Sequence, residues 1–195
     1  MSRETILRSI RQHLPQSSPL PELAGPWIRY PDPIAQFASV LEMIGGTCIR
    51  VRTVGDIPSQ LERIPAYASA TKTLSLIQEI GPTNVAMGAI ADPHQLDDID
   101  FAILPGQFAV AENAAVWVTD IGVKHRVIYF LCQHLALVVS ADQIVNNLAE
   151  AYERIEFRDP HFGAFIAGPS KTADIEQSLV IGAHGPRSMT VFLVG

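Results

Sequence analysis

Apolar residues recur along the chain at two spacings, one helical and one strand-like, and these divide it into segments. Near the start, Ile6, Leu7, Ile10 and Leu14 fall on one side of a helix, with Arg8, Arg11 and Gln12 on the other. Pro15 follows, and "PQSSPLPEL" holds too many prolines for regular structure. Residues 1–24 therefore read as a helical arm and linker, free to pack on the domain or on a partner, and residues 25–195 as the domain itself.

Asp32 and Pro33 have the pattern of an N-cap and a first-turn proline. Phe37, Val40, Leu41 and Ile44 supply the apolar face that follows, and Gly45-Gly46 the stop. The alternation in "TCIRVRT" predicts a strand, a short helix is expected from Ile57 to Ile64, and a further strand near "TLSLI". Then "NVAM", "DFAIL", "FAVA", "AVWVT", "VIYFL" and "LALVV" follow one another as strand-like runs, separated by Gly, Pro, Asp or Lys. They predict a sheet with an irregular middle section.

The segment "SADQIVNNLAEAYERI" predicts a helix capped by Ser140, with Ile144, Leu148, Tyr152 and Ile155 as its stripe against the sheet. A strand "AFIAG", a helix from about Ala173 to Ile181, Gly182 as its stop and a final strand "MTVFLV" complete the chain. Strands alternating with helices imply an α/β fold, a largely parallel sheet flanked by helices.

Composition narrows the function. The 195 residues are 48% hydrophobic, enough for one domain with a substantial core. The formal net charge is -6 and the 14 Lys and Arg are scattered, which argues against nucleic acid as a partner. The charged opening turns lack the apolar core of a signal peptide, and the run "VIYFLCQHLALVV" is too short and too polar to span a bilayer. A cytoplasmic protein with no membrane span is expected. Two cysteines, Cys48 and Cys132, lie among apolar neighbours and fall short of the usual four ligands of an iron-sulfur cluster. Any such cluster is expected in another chain.

Candidate chemistry concentrates near the end, in "GPSKTADIEQSLVIGAHGPRSMTVFLVG". A loop such as Gly168-Pro169-Ser170 entering a helix can offer N–H groups to an anion, with Lys171 adding charge. The glycine spacing matches neither a phosphate loop nor a dinucleotide fingerprint. The structural alternative is that Ser170 or Thr172 caps the helix while Asp174 and Glu176 complement its positive end. Asp174 and Glu176 lie on different helical faces, which makes them a poor acid-base pair.

His184, between Ala183 and Gly185, could face a ligand or the terminal carbonyls of a helix. His134 opens an apolar strand and has no metal-ligand spacing with another histidine, so no metal site is expected. Glu112 lies between two strand-like runs, where it could carry chemistry at a strand end or simply form a turn with Asn113.

"GPSKTADIE" followed by "GAHGP" and a last aliphatic strand resembles the C-terminal signature of the LUD domain, the family of lactate utilization protein C. "ETILRSIRQHL", "FASVLEMIGGTCIRV" and "QFAVAENAAVWV" resemble, more loosely, the family's opening helix, its helix and strand, and its central loop. Arg126 and His134 fall where the family carries an Arg and a His. The chain departs from the family at Ala111-Glu112-Asn113-Ala114-Ala115, where an Ala-Glu-Thr-Gly-Thr type turn is usual, and at Leu131-Cys132-Gln133, where a proline is usual.

The resemblance implies a fold like the NagB, ribose-phosphate isomerase and CoA-transferase group. It also implies a link to oxidation of L-lactate to pyruvate by a three-protein system whose iron-sulfur oxidoreductase subunits are separate chains. On that basis the ligand-binding residues expected are Arg126, His134, Gly168, Ser170, Lys171, Thr172, Asp174, Glu176, His184 and Gly185, around a small anionic ligand. The alternative is a stand-alone enzyme on a small anionic or acyl substrate, with Glu112 as its base or nucleophile. In either case both Gly-Pro loops are expected at one site with Glu112.

Overall fold

A computed structural model describes residues 2–15, 18–19, 25–80, 83–156, 160–171, 181–182 and 184–195. The arm is a helix, α1 (Arg3–Gln12), whose N-cap Ser2 accepts from the Thr5 N–H. Next comes α2 (Pro33–Met43), capped as its sequence predicts: Asp32 Oδ1 accepts from Ala35 N at 3.0 Å and Pro33 fills the first turn. It buries Phe37 and Leu41. Strand β1 (Thr47–Val51) follows, then two short helices, α3 (Ile57–Leu61) and α4 (Pro65–Ala68), and strand β2 (Thr73–Ser75).

After three single-turn 3-10 segments come β3 (Phe101–Pro105), β4 (Phe108–Val110), β5 (Ala115–Thr119), helix α5 (Ile128–Leu131) and β6 (His134–Ser140). Strand β7 (Ile144–Val145), helix α6 (Leu148–Arg154), β8 (Gly163–Ile166) and β9 (Ser188–Val194) complete the order.

Five strands form one sheet in the order β1-β9-β6-β3-β2, every neighbouring pair parallel. Both faces are covered, as a parallel sheet requires. Ala102, Leu104, Leu135, Leu137, Met189, Val191 and Leu193 point to one face, into the core that contains Phe37 and Leu41 of α2. Phe101, Ile103, Ala136 and Phe192 point to the other, against Ile57 and Leu61 of α3 and Tyr67 of α4. The period-two alternation thus divides each strand between two cores.

The irregular middle section is a second sheet, ordered β7-β4-β5-β8. Its β4–β5 hairpin is antiparallel and its β4–β7 pair parallel. Ala109, Ala111, Val116 and Val118 turn toward the core shared with the first sheet, while Phe108, Val110 and Trp117 pack under α6 with Ala151. Strand β8 approaches Trp117 so closely that a Cβ on Gly163 would lie 2.2 Å from the indole, so only glycine fits.

Three expected elements differ. "NVAM" contributes a single bridge, Leu74 to Val85, and then a 3-10 turn at Met87–Ala89. "VIYFL" contains helix α5, burying Ile128 and Tyr129; a short uniformly apolar run fits a buried helix as well as a strand. The segment after Ser140 is a 3-10 turn and strand β7 before α6 begins, and the cap is Asn147, whose side chain accepts from Glu150 N at 2.9 Å. Pairing of Ile144 and Val145 with β4 satisfies backbone groups that the longer helix would have used internally. The helix expected from Ala173 falls almost wholly outside the described residues.

Candidate functional site

Parallel pairing brings the starts of three strands to one edge of the sheet: Phe101 aligns with His134, and His134 with Ser188. His134 Nδ1 lies 2.7 Å from Ser188 Oγ, and the imidazole stacks on the Phe101 ring at 6.3 Å between centroids. Desolvation and the nearby Arg187 lower the His134 pKa, while Asp100 opposes them. The ring is therefore held toward its neutral form, able to accept at one nitrogen and donate at the other.

The residues just before these strands tie the edge together. Arg187 N donates to Gln133 O at 2.8 Å, and His134 N to Asp100 O at 2.9 Å. The Asp100 carboxylate accepts from the Thr71 hydroxyl at 2.7 Å, Thr71 N at 2.8 Å and Lys72 N at 2.9 Å, bonds that hold its pKa below the ordinary value.

The two Gly-Pro loops meet beside this edge. Ser170 N donates to Pro186 O at 2.8 Å, and Gly182 N to Ser170 O at 3.0 Å. A Cβ on Gly185 would lie 3.0 Å from Ser170 Cβ and 3.9 Å from Phe130 O. Gly168 has φ +70°, a left-handed conformation natural to glycine, and packs against Ile44 at the end of α2. Lys171 comes to the same end of α2: a Cβ on Gly45 would be 3.8 Å from its Nζ.

Phe130 also meets Phe162 edge to face, and the Arg126 guanidinium lies 5.1 Å over the Phe162 ring. Arg126 lines a small opening of about 350 Å³ with Asp120 and Lys124. Hence Arg126, Gly168, Ser170, Lys171, Gly185 and His134 belong to one connected neighbourhood, with His184 exposed on the loop between Gly182 and Pro186. Thr172, Asp174 and Glu176 lie outside the described residues.

Glu112 has a different set of neighbours. It follows β4 in the hairpin turn, where Asn113 Oδ1 accepts from Ala115 N at 3.1 Å and Ala114 adopts φ 55°. Glu112 N donates to Asn146 O at 3.0 Å, and its carboxylate accepts from Leu148 N, the first residue of α6, at 2.9 Å. It lines a cleft of about 1090 Å³ with residues 25–29, 147–150, 152 and 153, a lining that includes neither Ser170 nor His184.

Burial pushes the Cys132 thiol up to about 12 and that of Cys48 up to about 11, which disfavours the thiolate needed for metal binding or nucleophilic attack. Among the described residues no three His, Cys, Asp or Glu side chains group as metal ligands. No described helix is long and apolar enough to cross a membrane.

Asp100 and Ser188 stand in no local sequence motif. Ser188 is 54 residues from His134, and only strand register makes them neighbours.

These features define an α/β protein with a five-stranded parallel sheet and a polar loop pair at the start of its central strands. A family model described as the LUD domain matches residues 69–194, and the chain belongs to that family. It is 32% identical over 97 residues to lactate utilization protein C of Shouchella clausii, covering 47% of this chain and 42% of that one. It is 32% identical over 93 residues to lactate utilization protein C 1 of Bacillus mycoides, covering 45% and 40%. The matched segment thus spans less than half the length of these relatives. A crystal structure of a DUF162 family protein from Deinococcus radiodurans shares the fold, with a TM-score of 0.61 and 15% identity over 84% of this chain and 96% of that one.

Proposed function

We propose that this LUD domain protein is an accessory, ligand-binding subunit of an iron-sulfur-dependent system oxidising L-lactate to pyruvate. The observation that carries the reading is the junction of the two Gly-Pro loops, Ser170 to Pro186, beside His134 and Ser188. Lys171, Arg126 and Arg187 provide positive charge around a loop pair built from backbone and small side chains, a combination suited to a small carboxylate. The Ser188–His134 pair adds a hydroxyl and a neutral imidazole that can recognise a 2-hydroxy or 2-keto group.

Oxidation of a hydroxy acid to a keto acid releases two electrons and two protons. The chain's two cysteines, both with raised pKa, support an assignment of the electron carriers to partner iron-sulfur oxidoreductase subunits. In this arrangement the subunit holds the anion while a partner takes the electrons.

The bond from Leu148 N–H to the Glu112 carboxylate supports a structural role for that residue. It favours the binding reading over a stand-alone CoA-transferase-like or isomerase-like enzyme built on Glu112.

Two measurements test the proposal together. Thermal unfolding is expected to shift upward with L-lactate or pyruvate, in proportion to the logarithm of concentration above the dissociation constant. Affinity purification from the native host is expected to recover iron-sulfur subunits. A shift with CoA esters or sugar phosphates alone, together with normal growth of a deletion strain on lactate, would sink the proposal.

A further inference from the structure

Helix α1 poses a physical problem. Its ten residues bury no side chain, and Ile6 and Ile10 are 46% and 54% exposed. An isolated helix of this length is marginal in water even with favourable composition, and helices in proteins draw most of their stability from packing an amphipathic face. The apolar stripe of α1 therefore calls for a surface that its own domain does not supply.

The large cleft beside α6 has the matching character. Ile28, Leu148 and Tyr152 line it, with Ile28 52% and Tyr152 66% exposed. Its charged lining residues are Arg29, Glu112, Glu150 and Glu153, one positive against three negative, a net of about -2. Helix α1 carries Arg3, Arg8 and Arg11 against Glu4, three positive and one negative, a net of about +2. An apolar stripe edged with arginine meets an apolar trough edged with glutamate.

We propose that α1 docks into this cleft on a second copy of the chain, the two copies exchanging arms. The arrangement of a single copy favours the second: no residue of α1 lines the cleft of its own chain, and Ile6 and Ile10 stay exposed there. Reciprocal exchange closes a two-fold dimer with two equivalent contacts and leaves neither apolar surface open.

Sedimentation of the full chain tests this. The wild type is expected to be a dimer. The double variant I6E/I10E is expected to raise the dimer dissociation constant by about a hundredfold or more, each lost isoleucine anchor counting for about tenfold. Because α1 adds no buried residue to its own domain, the thermal unfolding of the monomeric variant's domain should be retained. Arg8→Glu with Arg11→Glu is expected to weaken the dimer, and adding Glu153→Lys to restore part of the loss. A full chain that stays monomeric overturns the proposal, as does a dimer that I6E/I10E leaves intact. A monomer destabilised by loss of the arm also overturns it, since the arm would then pack on its own domain.

Discussion

His134 and Ser188 open neighbouring parallel strands, with the imidazole Nδ1 2.7 Å from the serine hydroxyl. Burial and Arg187 lower the histidine's pKa, so over a range of acid pH the unfolded chain binds a proton that the folded chain does not. Stability from this group is present above the ordinary histidine value of about 6.5 and is lost as pH falls below it toward the folded value. Urea denaturation at a series of pH values is expected to show stability falling through that window, with a shallower slope in His134→Gln. His94 has the opposite sign, because its partner Asp92 raises its pKa, but it is highly exposed and solvent screens its contribution.

The contact between the Gly-Pro loops is tight at Gly185, where an added Cβ would stand 3.0 Å from Ser170 Cβ and a larger side chain would press on it. Gly185→Val is expected to force the loops apart and abolish the thermal shift produced by L-lactate or pyruvate. Lys171→Ala, which removes charge and leaves the loops in place, is expected to weaken that shift about tenfold in concentration, the worth of one exposed charge-assisted contact. A full shift in Gly185→Val would remove the loop pair from the binding site.

Glu112 is placed to stabilise the start of α6 through the Leu148 N–H. Glu112→Ala is expected to cost about 1 kcal/mol of unfolding free energy, the usual value of a lost N-terminal acceptor. Glu112→Gln keeps an acceptor oxygen and should lose less. Calorimetry of the three proteins measures the difference, and neither variant is expected to change the ligand-induced shift.

Ala114 sits at φ 55°, in the turn between β4 and β5. A left-handed conformation costs a non-glycine residue about 1–2 kcal/mol, against about 0.8 kcal/mol for losing its buried methyl group and a similar sum for glycine's extra freedom when unfolded. The terms nearly cancel, so Ala114→Gly is expected to leave the Tm almost unchanged. Ala109→Gly, in the buried and extended β4, has no strain to relieve and should lower the Tm by several degrees. Comparing the two melts isolates the strain at Ala114.

Much of this architecture follows from local chemistry. Asp32-Pro33 before Phe37 and Leu41, and Gly45-Gly46 after them, determine α2 within a few residues of chain. The aliphatic runs of β3, β6 and β9 determine strands buried on both faces, and the two Gly-Pro steps determine where the last loops turn. The LUD resemblance was likewise carried by contiguous strings. Tertiary structure decided the rest. It made "VIYFL" a helix and gave Ile144-Val145 to β4, because short apolar runs satisfy either geometry until neighbouring strands claim their backbone groups. It aligned Ser188 with His134, joined Ser170 to Pro186 and gave Glu112 to α6. Those relationships depend on strand register and chain crossing over long separations, where one residue of slip would turn each side chain to the opposite face.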